Sequence, residues 1–340
     1  MASDSSYVEY LLTSPGVLTA SMRPFIDLPA DWVRVRILYC GICGSDMSKF
    51  ETLYPVSYPR SMGHEFVAEV VEVGTDIDRF QAGDIVTSDL NFRCEQCDHC
   101  KSGRSHLCRT GQVGLFSNRA FAEYGDIEQS YLTKVSGPAT KQLALAEPLS
   151  CVLHAVNWAA PSPDERVLVV GAGGLGCCMA LALLGHRSPA LRFDIIESMP
   201  SRAARIQLAC QPFGRAISAP QGEYEVVFDL SGSESGLELA LASVTSGGRV
   251  CSMSHLYGEA PAAFLHKNLM RRDITFKQSY LNGDRSNMER AVRILQNSWN
   301  ASWDKLVELV PLSSVAAAFS ERRQSPWCKT IVQVADKLQP

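Results

Sequence analysis

Between Val167 and Gly185 the chain runs for 19 residues without a charged side chain, long enough to cross a bilayer as one helix. Its internal order argues against a span. Val167-Leu168-Val169-Val170 is a short β-prone run, glycines follow at 171, 173, 174 and 176, and only then comes the apolar stretch Met179-Ala180-Leu181-Ala182-Leu183-Leu184. The pattern is that of a buried strand, a tight turn and a buried helix. Gly171-Ala172-Gly173-Gly174-Leu175-Gly176 at that turn is an uninterrupted G-x-G-x-x-G. Such a string is weak alone, but here a strand ends just before it, a helix begins within it, and an acidic residue ends the next strand. Gly171 permits the turn, Gly173 lets the backbone approach a pyrophosphate at the helix N-terminus, and Gly176 allows close packing of helix on strand. Gly174 and Leu175 complete the candidate dinucleotide cradle. Glu197 follows Gly176 by 21 residues, near the distance expected of a carboxylate that takes the adenosine ribose hydroxyls, which favours NAD over NADP. Two readings compete with this. Glu197 can be an ordinary strand-end charge, and Arg202 can approach a 2′-phosphate.

The pattern around this unit differs on its two sides. The first 150 residues are rich in short β-like runs such as Val33-Arg34-Val35-Arg36-Ile37 and Phe66 to Val73, which predicts a small antiparallel barrel or sandwich. From about Glu165 to Met253 strand candidates at 166–170, 191–196, 225–230 and 248–253 alternate with helical stretches, which predicts a doubly wound parallel sheet. A helix is expected through Met288 to Gln296 and a last strand at Thr330 to Val334. The 340 residues give two or three domains.

Of 12 cysteines, four stand as C-x2-C-x2-C-x7-C at Cys94, Cys97, Cys100 and Cys108. Four thiolates close a tetrahedral zinc shell with no open position, so the expected site is structural. The segment 93–109 balances the resulting negative charge with Arg93, Lys101, Arg104 and Arg109 against Glu95 and Asp98. An iron–sulfur site and a redox disulfide set are the alternatives.

Two further segments carry chemistry: Gly41-Ile42-Cys43-Gly44-Ser45-Asp46 and Gly63-His64-Glu65. With the cysteine lobe, the glycine motif and Glu147-Pro148-Leu149, they make essentially the whole chain resemble a zinc-dependent medium-chain dehydrogenase/reductase. The polyol branch is closest, in which a glutamate replaces a zinc cysteine. The resemblance implies an α/β protein with a GroES-like β-barrel catalytic domain, residues 1–150 and 278–340, carrying the zinc lobe at 93–109, and a Rossmann NAD-binding domain, residues 151–277. It implies two zinc ions per chain and NAD as cofactors. Cys43, His64 and a carboxylate, Glu65 or Glu147, would hold the catalytic zinc; Ser45 would begin a proton relay; Asp46 would orient His64. Ser45 as a turn serine and Asp46 as a helix N-terminal acid are the plainer readings. His154 and Cys40 are expected in the core, Asp229 either caps a turn or meets the cofactor, and Tyr54 and Phe116 are candidates for the substrate pocket.

The implied reaction is hydride transfer between a secondary alcohol of a polyol, sugar or (amino)cyclitol and NAD. A threonine-type or simple alcohol dehydrogenase is the runner-up, and a zinc-bearing binding protein without activity is the competing class. Dimers or tetramers are typical of the resembled family. The formal charge of −4 lacks the basic excess that nucleic acid requires. The first six residues carry an acid and no Lys or Arg, and no apolar run follows, so no secretory signal, a cytoplasmic location and reduced cysteines are expected.

Overall fold

A computed structural model describes residues 6–91, 93–110, 119–185, 191–255 and 269–335. In chain order its strands are β1 (Ser6–Ser14), β2 (Val17–Pro24), β3 (Trp32–Gly41), β4 (Arg60–Ser61), β5 (Glu65–Val73), β6 (Ile85–Ser88), β7 (Tyr124–Glu128), β8 (Leu132–Val135), β9 (Val167–Val170), β10 (Phe193–Ile196), β11 (Gly214–Ile217), β12 (Tyr224–Asp229), β13 (Val244–Ser252), β14 (Thr275–Gln278), β15 (Val307–Pro311) and β16 (Lys329–Gln333). The helices that position the site are α1 (Gly44–Phe50), α2 (Asp98–Lys101), α3 (Ala146–Ala159), α4 (Gly174–Leu184), α5 (Pro200–Cys210), α6 (Glu234–Ser243) and α7 (Arg285–Ser298).

The β-rich portion is built on a sheet of order β15-β16-β3-β5-β6-β8, with β7 also paired to β3. Alternation in β3 explains its place. Val33, Val35 and Ile37 are fully buried, while Arg34 and Arg36 stand opposite Glu72 and Glu69 of β5 and pair with them at 2.7 and 2.6 Å. A one-residue slip would put the valines where the arginines are and break both pairs, so the pattern fixes the register. Strand β16 comes from the far end of the chain and joins β3 antiparallel, Ile331 facing Gly41.

The second sheet is entirely parallel, in the order β11-β10-β9-β12-β13-β14. Counted from β9 this is the 3-2-1-4-5-6 winding, whose order reverses between β9 and β12, where open α/β sheets bind ligands. The uncharged stretch from 167 resolves into β9 and α4 as expected, and among the described residues no helix is long and apolar enough to cross a membrane. Strands β11 and β14 were invisible in the sequence because both lie on sheet edges, where Gly214-Arg215-Ala216-Ile217 and Thr275-Phe276-Lys277-Gln278 need no apolar run. Helix α7 buries Met288, Ala291, Val292 and Leu295, the i, i+3, i+4, i+7 stripe of an amphipathic helix, and packs on α3.

Candidate active site

Three chemically different donors meet where β3 turns into α1 and β5 begins. Cys43 is the N-cap of α1, His64 immediately precedes β5, and Glu65 is its first residue. One ligand atom from each lies within 4.8 Å of the others. His64 and Glu65 are buried. Asp46 is fully buried; its carboxylate accepts from the Cys43 amide at 3.2 Å and stands 3.5 Å from His64 Nδ1. Burial works against the Asp46 charge, but His64 and Lys49 outweigh it and hold the carboxyl at about 2. Burial likewise works to lower His64, yet Asp46 and Cys43 raise it well above an ordinary imidazole. Nδ1 faces Asp46 without a hydrogen bond closed between them. Ser45 sits half-buried in the first turn of α1.

Glu147, on the first turn of α3, stands outside the three-donor set. Burial raises it to about 7, with His64 lowering and Glu65 raising it, so it lies within electrostatic reach of both. Its Oε1 accepts from the Cys151 thiol at 3.4 Å.

A residue not anticipated from the sequence completes this centre. Lys329, first residue of β16, forms an ion pair with Glu65 Oε2, both side chains being almost wholly buried. Burial works to lower its ammonium, while Glu65 and Cys43 hold it above the usual lysine value. The geometry follows from strand register: Ile331 faces Gly41, and Gly41 in turn faces Glu65. A side chain at 41 would collide with Glu65 and with Lys329 Cε, so Gly41 makes the room for the pair. The lysine also reaches α4, its Nζ lying 3.4 Å from where a Cβ on Gly174 would stand.

At the crevice of the parallel sheet Gly171 adopts φ +99, and a Cβ on Gly176 would run into the Gly171 carbonyl, which gives the two glycines the turn and packing roles expected of them. Gly173 caps α4, and Leu175 packs on the core. Glu197, just beyond β10, accepts from the Ala172 amide at 2.9 Å and from the Met199 amide at 2.9 Å. Arg202 lies 3.5 Å from Glu197 Oε2 and donates to the Ser325 carbonyl at 2.9 Å. Asp229 caps a turn, accepting from the Ser231 amide and hydroxyl at 3.1 and 2.7 Å and from the Ser252 hydroxyl at 2.8 Å. Cys40 is core. The rings of His154 and His106 meet at a tilt of 56° with centroids 4.6 Å apart, His106 belonging to the cysteine lobe. Tyr54 is exposed, and Phe116 lies outside the described residues.

Cys97 is the N-cap of α2 and Cys100 lies within it, Cys94 precedes it and Cys108 follows, with one sulfur from each within 4.8 Å of the rest and none in a disulfide. Cys94 Sγ and Cys100 Sγ are 3.9 Å apart. Zn–S bonds of ~2.3 Å at tetrahedral angles separate sulfurs by about 3.8 Å, so the spacing suits zinc. Amides of Gln96 and Cys97 point at Cys94 and lower it to about 6. The charge balance is not the one expected: Arg93 is buried and turned away to Asp89 at 2.5 Å, and Arg109 pairs with Asp98 at 3.0 Å.

The fold and the two donor sets together define a metal-binding dinucleotide protein, and comparison with known proteins narrows the class. Residues 29–137 match the alcohol dehydrogenase GroES-like domain. An uncharacterized zinc-type alcohol dehydrogenase-like protein of Haemophilus influenzae is 30% identical over 307 residues, covering 86% of this chain and 88% of that one. D-altritol 5-dehydrogenase of Agrobacterium fabrum is 28% identical over 312 residues, 89% and 92% of the two chains. A zinc-binding dehydrogenase of Sinorhizobium meliloti, solved bound to NADP, superposes with a TM-score of 0.83 at 21% identity over 97% of this chain and 100% of its own. The chain belongs to the zinc-dependent medium-chain dehydrogenase/reductase family, and it is an oxidoreductase.

Proposed function

We propose that this protein oxidises a secondary alcohol of a polyol, sugar or (amino)cyclitol to the ketone, passing hydride to NAD, with two zinc ions per chain. The observation that carries the reading is the set of Cys43, His64 and Glu65 within 4.8 Å, the cysteine half-buried and the other two buried, a mixed S/N/O donor group of the kind that leaves a catalytic zinc one open position. Zinc bound there supplies Lewis acidity, which makes a neighbouring hydroxyl easier to deprotonate near neutral pH. Asp46 keeps the proton of His64 on Nδ1 and its ring in one orientation. Ser45, on the first turn of α1, takes the alcohol proton toward solvent. Glu147, raised to about 7, stands ready to hold or release a proton beside the substrate. The four-cysteine set holds the second zinc and does no chemistry.

The amide N-terminus of α4 at Gly173 and Gly174, with Gly171, Leu175 and Gly176 shaping the loop, receives the cofactor pyrophosphate, and the Lys329 ammonium lies beside it. Glu197 accepts from one backbone amide on each oxygen and from the Ser198 hydroxyl at 3.4 Å on Oε1, and its carboxylate keeps acceptor capacity on Oε2 for a ribose hydroxyl. A 2′-phosphate would meet this carboxylate, and Arg202 is already engaged with Glu197 and Ser325. That supports NAD over NADP. The domain division is 1–150 with 278–340 for the catalytic domain and 151–277 for the cofactor domain, and homo-oligomers are expected. Polyol oxidation is favoured because the donor set carries a glutamate and because the relative from Agrobacterium fabrum is named a D-altritol 5-dehydrogenase.

The test is NAD reduction across sorbitol, altritol, inositols, aminocyclitols, L-threonine and ethanol, repeated with NADP. Turnover confined to polyols or cyclitols with NAD supports the reading. Preference for L-threonine or ethanol, or for NADP, overturns the corresponding part, and a zinc content near one per chain overturns the two-site assignment.

A further inference from the structure

A polar cluster that none of the chemistry above uses lies between the four-cysteine lobe and the catalytic centre. Asp89, Asn91, Arg93, Ser105 and Asn282 are each more than nine-tenths buried. Arg93 Nη1 donates to Asp89 Oδ2 at 2.5 Å and to the Asn91 carbonyl at 3.2 Å, Nη2 to Asn282 Oδ1 at 3.2 Å, and Nε to Ser105 Oγ at 2.9 Å. Asn282 Nδ2 donates to the other Asp89 oxygen at 3.0 Å. Ser105 Oγ donates to the Gly283 carbonyl at 3.1 Å. One guanidinium thus joins segments of the chain almost 200 residues apart.

The two ends of the cluster matter more than its middle. On one side Arg93 precedes Cys94, and Ser105 lies between Cys100 and Cys108, so both are placed by the lobe. On the other side Asp89 follows Ser88, whose hydroxyl donates to the His64 carbonyl and accepts from the Phe66 amide at 3.2 Å. That brackets the strand start that presents His64 and Glu65. Asn282 lies two residues after Tyr280 in the turn leading to α7, and its carbonyl accepts from Asn287 on that helix at 2.7 Å.

We propose that Arg93 is a positioning residue that relays the ordered state of the four-cysteine lobe to the His64–Glu65 strand start and to the 279–283 turn. The proposal rests on the reading of the lobe as a metal site. Only a planar fork with five donors can serve these acceptors at once; a lysine would satisfy Asp89 as a point charge and drop the others. A buried ion pair with this many neutral polar neighbours is weak evidence for stability, since apolar packing would serve as well, and its established use elsewhere is to enforce one conformation.

The test uses the full zinc-loaded chain with Arg93→Met, Arg93→Lys, Cys97→Ser and the Arg93→Met/Cys97→Ser double variant. Zinc per chain, amide hydrogen exchange, and KM and kcat for sorbitol with NAD are the readouts. Arg93→Met should keep the parent's zinc content and speed exchange in 62–67 and 279–287, with the parallel sheet unchanged. Its kcat should fall about tenfold with KM within about twofold, because the strand start it positions carries His64 and Glu65. Arg93→Lys should restore exchange in 62–67 more than in 279–287. Cys97→Ser should reproduce both local changes, and the double variant should add nothing. Unchanged exchange at both segments in Arg93→Met, additive effects in the double variant, or exchange raised equally throughout the chain would overturn the proposal. Should Arg93→Met not fold, Asn282→Ala cuts one link of the cluster and carries the same expectation for 279–287. A Cys97→Ser variant that keeps the parent's zinc content would refute the lobe reading and the relay with it, while an absence of sorbitol turnover bears on the substrate alone and leaves the exchange results decisive.

Discussion

Replacing Lys329 with Met asks whether a lysine contributed by the far end of the chain is what allows Glu65 to be charged in the interior. The side chains are 4% and 1% exposed, so neither has water to fall back on. Removing one partner of such a pair strands the other and costs about 3–5 kcal/mol, whereas replacing both with uncharged groups of similar size costs far less. Lys329→Met in the metal-free protein should therefore lose about 3–5 kcal/mol of unfolding free energy in urea, and adding Glu65→Gln should return most of it. Glu65→Gln alone strands the lysine in the same way, so the coupling between the two sites should exceed the range of about 0.5–3 kcal/mol usual for contacting residues. Zinc sharpens the test, because Glu65 belongs to the Cys43 and His64 donor set, and a bound dication replaces the lost ammonium. The same substitution should cost less in the zinc-saturated protein. A loss under about 1 kcal/mol without metal, or single-variant effects that simply add, would refute the account of Lys329 as the countercharge.

Three other outcomes are expected. Cys43→Ala should abolish NAD reduction while circular dichroism stays that of the parent; retained turnover would remove Cys43 from the catalytic set. Cys97→Ala should lower the melting temperature and the zinc content by about one ion, because a closed four-thiolate site contributes folding energy; an unchanged melting temperature would argue against a structural metal. His154, lowered to about 4 by burial and then by Lys277 and His106, takes up a proton in the unfolded chain before the folded one. Its contribution is full above about pH 6.5 and is lost as pH falls toward 4; solvent at the half-buried ring reduces the roughly 3 kcal/mol implied by the shift to about 1–2 kcal/mol. His154→Phe should flatten the melting-temperature profile over that interval, and an unchanged slope would contradict the assignment.

The legible parts of the molecule were those whose signal is local. The strand, turn and helix around Gly171 to Gly176 are written in consecutive residues, as are the four-cysteine spacing and the Cys43 and His64 segments. Lys329 was not legible because Lys329-Thr330-Ile331-Val332 reads as an ordinary strand; its role comes from Ile331 lying opposite Gly41, a pairing across almost 300 residues. Gly41 was the one available hint, a glycine inside a strand where backbone or a side chain must approach closely. Arg93 misled for the complementary reason: counted as a countercharge to the cysteines beside it, it is spent on Asp89. Glu65 and Glu147 sit in equally suggestive sequence, and only their three-dimensional placement puts Glu65 within 4.8 Å of Cys43 and His64.

Strand β16 has a consequence for how the protein is made. It is synthesised after every other strand of its sheet, yet it pairs with β3 and sits between β3 and β15. During translation β7 covers β3 only over 32–36, so the 39–41 end of β3 stays an unpaired template for other chains, and Glu65 waits without its ammonium until Lys329 emerges. The parallel sheet closes first, and the centre it serves is completed last.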